Sequence, residues 1–195
     1  IEDLTVEGYV RMEGSGENIG GLAGVNFGTL SGCRFAGDVS ASKSVGGIVG
    51  YNKADGKVVD CSSAGTVTGT NGTGGICGEN KGIIKDCNNE STINGEDLKT
   101  TLNLDGVDLG ELNLTQNVVT RNDSGGIAGV SSGTITGCTN KGKIGYPHVG
   151  YNVGGIAGRQ SGTIMDCKNE GDILGRKDAG GIAGQAEPYM ESEYL

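Results

Sequence analysis

Tryptophan is absent from this chain, phenylalanine and proline occur twice each, and histidine occurs once in 195 residues. With so few large aromatics, any core must be built from Ile, Val, Leu, Ala and Cys, which suits a narrow interior. The single histidine, His148, has no histidine partner, so a His-Glu-x-x-His zinc helix is excluded. No Gly-x-Ser-x-Gly nucleophile elbow is present either. Apolar runs extend only a few residues, too short for a helix that crosses a bilayer. Basic residues are outnumbered, 15 against 24 acidic, giving a net charge of -9. That balance argues against nucleic acid and against insertion at an anionic membrane, both of which need a basic patch.

Glycine, in contrast, is abundant at 40 residues. With only two prolines beside it, this composition fits repeated turns better than collagen or a disordered linker. The phrase Gly-Gly-hydrophobic-small-Gly starts at Gly20, Gly46, Gly74, Gly125, Gly154 and Gly180, with steps of 26, 28, 51, 29 and 26 residues. Downstream glycines follow at Gly28, Gly56, Gly82, Gly133 and Gly162, then aliphatics at Leu30, Val58, Ile84, Ile135 and Ile164. A cysteine comes three positions later in every complete copy: Cys33, Cys61, Cys87, Cys138 and Cys167. A last block reads Gly-x-aliphatic, as in Gly37 with Val39 and Gly171 with Ile173.

Each unit thus carries three short apolar segments separated by turn residues, a pattern of strands and not of helices. One such unit cannot bury its apolar side alone, whereas stacked units can. The expected fold is all-β: a right-handed parallel β-helix, or β-solenoid, of about six three-stranded coils with one excursion. A propeller and a flattened β-roll are the alternatives. The domain reading is a single solenoid over 1–195. Within it, 1–19 form a partial N-terminal coil, 20–94 the first three repeats and 95–124 an insertion or degenerate coil. Residues 125–184 form the last repeats and 185–195 a C-terminal cap or linker.

The segment GGIAGRQSGTIMDCKNEGDILG, residues 154–175, resembles the GLUG repeat of bacterial surface proteins. That repeat is also found beside the catalytic domain of immunoglobulin A-cleaving metallopeptidases and in adhesin-type proteins. The resemblance implies a secreted or cell-wall-attached β-helical module, flanked by other domains of a larger chain. These 195 residues contain no signal peptide, so the expectation of secretion rests on the resemblance.

The even number of cysteines invites a disulfide or metal reading. Yet five share one repeat position, and no Cys-x-x-Cys pair is present. Stacked coils place their β-carbons about 4.8 Å apart, beyond the ~3.5–4.5 Å of a relaxed disulfide. The expectation is a ladder of buried thiols, with inter-rung disulfides and metal as alternatives; Cys77 is another small side chain at a packed position. Asn89, Asn140 and Asn169 form a second column, expected to be structural. Asp60, Asp86 and Asp166 form a third, interrupted by Gly32 and Gly137. They are read as turn residues, with calcium binding or carbohydrate-acting chemistry as the alternative.

Two places stand out as binding surfaces. Tyr146, His148 and Tyr151 lie in one loop with Pro147 and offer an aromatic patch for a sugar or peptide. Residues 95–124 carry a leucine-rich signature that includes Leu109 and Leu112, with a short helix expected over 109–114. The functional expectation is a non-catalytic structural or adhesive module needing no cofactor and binding a host glycan or extracellular protein. An accessory domain that positions a surface protease is the alternative, and a carbohydrate-active β-helix enzyme the third.

Overall fold

The computed structural model describes residues 1–95, 121–147 and 149–188. Among them every regular element is a strand, and no helix occurs. All pairings between the strands are parallel, and they join each repeat to the next in register. The result is a β-solenoid of about six turns.

The repeat contains four strands where the sequence pattern predicts three. In the second coil they are Lys43–Gly46, Val49–Asn52, Lys57–Val59 and Ser62–Thr68. Their equivalents stack into four sheets, numbered here in that order. The phrase GGIVG is therefore not one apolar segment. Gly46 ends a first-sheet strand, Gly47 and Ile48 turn a corner, and Val49 opens the second-sheet strand. Corner backbones join the ladder too: Ile48 donates to Ile76, Ile76 to Ile127 and Ile127 to Ile156, each at 2.9–3.0 Å. Few backbone groups are left unpaired where the chain bends.

Glycine is needed at this corner because the first and second sheets meet backbone to backbone. A β-carbon on Gly74 would lie 2.1 Å from the Cys77 carbonyl oxygen and 2.7 Å from Ala128 Cα. One on Gly78 would lie 2.3 Å from the Ser44 carbonyl carbon in the coil before.

The interior is filled by aliphatic columns. Leu30, Val58, Ile84 and Ile135 are stacked on the third sheet, Ile48, Ile76, Ile127 and Ile156 at the corner, and Val39, Val67, Ile93 and Ile144 on the fourth sheet; all are at most 1% exposed. Burying each such side chain contributes roughly 1.5–3 kcal/mol. At the N-terminal end, Thr5–Arg11 pairs with Arg34–Ser40, so the first residues extend the fourth sheet.

Coils three and four are direct neighbours. Asn71 pairs with Asn122, Cys77 with Ala128, Ile83 with Thr134 and Asn88 with Thr139. No rung separates them, although 51 residues divide Gly74 from Gly125. The chain leaves coil three at Asn94, which accepts from the Gly69 amide at 2.9 Å, and re-enters at Arg121, whose guanidinium donates to the Gly69 carbonyl at 2.6 Å. The helix expected over 109–114 lies outside the described residues.

Candidate functional site

The seam between the first and second sheets carries a groove from Lys43 of the second coil to Arg159 of the fifth. One wall is a column of residues in the left-handed conformation: Asn18, Ser44, Gly72, Asp123, Asn152 and Asp178, with φ between 52° and 67°. Asn, Asp and Gly tolerate this region best, which explains five of the six. The facing wall is the outward column of the second sheet, where Val25, Tyr51, Glu79, Val130 and Arg159 stand in register. At the third coil Gly72 contributes no side chain, and a cavity of about 350 Å³ opens there.

Its lining is polar and carries both charges, with Lys43 and Arg159 against Glu79 and Asp123. Arg159 Nη2 lies 3.4 Å from Asp123 Oδ2, and Asn152 Nδ2 donates to Asp123 Oδ1 at 2.8 Å. Both Asp123 oxygens are thus engaged, and only 12% of its side chain is exposed. Glu79 is freer, 3.9 Å from Lys81 Nζ. Asn122 donates to Asn71 Oδ1 across the coil boundary at 3.1 Å.

Beside the groove stands an aromatic pair that the sequence pattern does not reveal. Tyr51 is the in-register neighbour of Glu79. The Lys53 ammonium lies 3.6 Å from the Tyr51 ring centroid and 5.9 Å from that of Phe27, which is 69% exposed. Lys81 also reaches the Tyr51 ring, and its pKa is raised chiefly by hydrogen bonding to that tyrosine.

All six cysteines are free thiols. Cys33, Cys61, Cys87 and Cys138 are fully buried, and Cys167 is half-buried. Each of these five donates to the carbonyl two residues before it, at 3.2–3.4 Å, and faces a carbonyl of the preceding coil at 3.5–3.9 Å. Hydrogen bonds with Cys138 and Cys61, followed by burial, hold the Cys87 thiol above its ordinary range. Among the described residues no group of three or more His, Cys, Asp or Glu is placed to hold a metal ion.

Cys77 lies on the second sheet, fully buried, and desolvation pushes it from its ordinary 9.0 to about 12. Its thiol stays protonated in the fold while the unfolded thiol ionises above pH 9. Its contribution to stability is therefore complete below pH 9 and falls between 9 and 12, at about 1.4 kcal/mol per pH unit. Ala128 and Ala157 occupy its register position in later coils. Cys77→Ala is expected to fold and to flatten this part of the alkaline slope, measured by urea unfolding at pH 8, 9 and 10. An unchanged slope would contradict the assignment.

The polar columns are structural. Asn89 and Asn140 each donate to the next rung at 2.8 Å. Asn89, Asn140 and Asn169 each also close a turn with the amide and carbonyl of the residue two positions on. These side chains take over backbone partners, and in the third coil the seven-residue fourth-sheet strand is split into Asn88–Asn89 and Thr92–Ile93. A second ladder escapes the sequence pattern: Asn26 donates to Asn52, Asn52 to Asn80 and Asn80 to Ser131, at 2.9, 2.9 and 3.1 Å. Its signal was the Asn two residues before Gly28 and Gly82. The aspartate column also has a conformational cause. Gly32, Asp60, Asp86, Gly137 and Asp166 all hold φ of 52–65°, so Gly and Asp alternate at one left-handed corner.

Of the expected binding residues, Tyr146 lies outside the four sheets and Tyr151 on the first of them. Tyr146 is half-buried beyond the fourth-sheet bridge of Ile144, with Lys143 Nζ 5.7 Å from its ring centroid. Tyr151 opens the first-sheet strand Tyr151–Gly154. A short antiparallel bridge, Tyr146 with Val149, links the two regions. His148, Leu109 and Leu112 lie outside the described residues.

The GLUG motif family matches the chain twice, over residues 41–68 and 149–174. Both matches coincide with the Gly-Gly corner and the coil built around it. No curated protein and no solved structure shows significant similarity to the chain.

Proposed function

The chain carries a GLUG-motif repeat domain folded as a rigid structural module, and from that premise we propose an adhesive, non-enzymatic role at the outside of a bacterial cell. In this reading the solenoid is a stiff carrier and the seam groove is its contact surface. A host glycan or an extracellular protein is the partner, and further domains of a larger chain anchor the module. The observation that carries the reading is the groove itself: polar, open and formed by side chains that hydrogen-bonded coils hold in fixed register. Rigid scaffolds reduce the ordering entropy that binding otherwise costs. Asp123 is committed to Arg159 and Asn152, which leaves Glu79 without a second free carboxylate for acid and base work across a sugar bond.

The labelled module should bind at least one member of a panel of host glycans and extracellular matrix proteins. It should release no reducing sugar from soluble polysaccharides. Sugar release would overturn the non-enzymatic part. A demonstrably folded module that binds nothing would overturn the adhesive part and leave a spacer.

A further inference from the structure

We propose that the seam groove binds an oligosaccharide, extended along the solenoid axis with about one sugar per coil. This rests on the adhesive reading and names its ligand class and site. Four features select a sugar chain.

The groove presents donors and acceptors of both kinds at successive coils, from Lys43 and Asn71 to Glu79 and Arg159. Hydroxyl groups both donate and accept, so a sugar can use such a mixed lining, whereas a polyanion would meet the two carboxylates. Two cations face two carboxylates within the groove, so it offers a charged chain no net attraction.

An extended peptide is disfavoured on two counts. Strand addition needs a free sheet edge, and both strands at the third coil, Asn71–Gly74 and Cys77–Asn80, are paired on each side. A side-chain anchor needs an apolar pocket, and Val130 is the one aliphatic side chain lining the cavity.

Tyr51 borders Glu79, and although the Lys53 ammonium covers one face of its ring, the exposed Phe27 that shares this lysine supplies apolar surface for the C–H face of a sugar ring. Spacing supports the same ligand. Coils recur every ~4.8 Å, close to the advance of one pyranose in an extended chain.

Gly72 provides a test that leaves the fold intact. Its φ is 67°, and the nearest atom to an added β-carbon is 3.6 Å away, in ordinary contact. Asn18 and Asn152 already hold the same column with φ of 59° and 55°. Gly72→Asn should therefore fold while filling the cavity. The experiment is calorimetric titration of the intact chain, Gly72→Asn, Glu79→Gln and Tyr51→Ala with oligosaccharides of one to six sugars chosen from an array hit.

The expected result is affinity that rises with chain length up to about three or four sugars. Gly72→Asn should lower it by about tenfold or more while shifting the melting temperature by only a few degrees. Glycan binding that none of the three substitutions weakens would overturn the site. Binding on the same array to an extracellular protein but to no sugar would overturn the ligand class and leave the adhesive reading standing. Binding to neither would overturn both.

Discussion

Gly74→Val is expected to unfold the module or to lower its stability by at least about 3 kcal/mol, the upper end of the usual cost of overpacking a core. The reason is the absence of any yielding neighbour. The first β-carbon alone would sit 2.1 Å from the Cys77 carbonyl oxygen, 2.7 Å from Ala128 Cα and 2.8 Å from the Gly129 nitrogen. All three are backbone atoms within hydrogen-bonded sheets, so relief requires separating two coils. Gly28 is the matched control in the same repeat pattern, with nothing within 4 Å of an added β-carbon. Gly28→Ala should stay within about 0.5 kcal/mol of the parent. Urea unfolding followed by circular dichroism reads both, and comparable losses would show that the two sheets do not meet as described.

The second large effect is expected at Asn52, which is completely buried in the centre of an amide ladder. Its oxygen accepts from Asn26 and its nitrogen donates to Asn80, both at 2.9 Å, and to the Gly56 carbonyl at 3.1 Å. Asn52→Leu is close in volume but removes all three of these bonds from a dry interior, leaving the Asn26 amide only the Gly28 and Lys57 carbonyls and the Asn80 oxygen only the Gly82 amide. A buried hydrogen bond contributes about 0.5–1.5 kcal/mol net, so losing three predicts a loss near ~3 kcal/mol. Asn169→Leu, at the half-buried end of the other ladder, should cost clearly less because water can replace its partner. Equal losses in the two variants would contradict a ladder role for Asn52.

Much of this architecture was legible in the chain because one coil equals one repeat. The Gly-Gly phrase, the aliphatic after Gly28 or Gly82 and the cysteine three positions on all recur at the same register in space. The number of strands was not legible. Val45, Ile48 and Val49 form one apolar cluster in sequence, and a linear pattern does not distinguish a straight run from one bent at Gly47. The aspartate column was legible as turn residues, but not as one continuous feature. Viewed as chemistry, Gly32 and Gly137 are gaps; viewed as backbone, Asp and Gly share tolerance for positive φ, and the column is continuous. The groove was invisible for a stronger reason. Lys43, Gly72, Asp123 and Arg159 come from four different copies, occupy no shared motif and meet only when the coils stack.

Direct stacking of the third coil on the fourth is the feature on which the groove depends, since its walls cross that boundary. Thr29 and Thr163 are exposed, lie in the same outward column of the third sheet and are separated by four rungs, through Lys57, Ile83 and Thr134. A spin-label distance between cysteines at these two positions, in a variant whose half-buried Cys167 is replaced, measures the stack directly. Four rungs predict a narrow distribution near 19 Å. A maximum near 24 Å would insert an extra coil between the copies, and a broad or much longer distribution would contradict the solenoid itself.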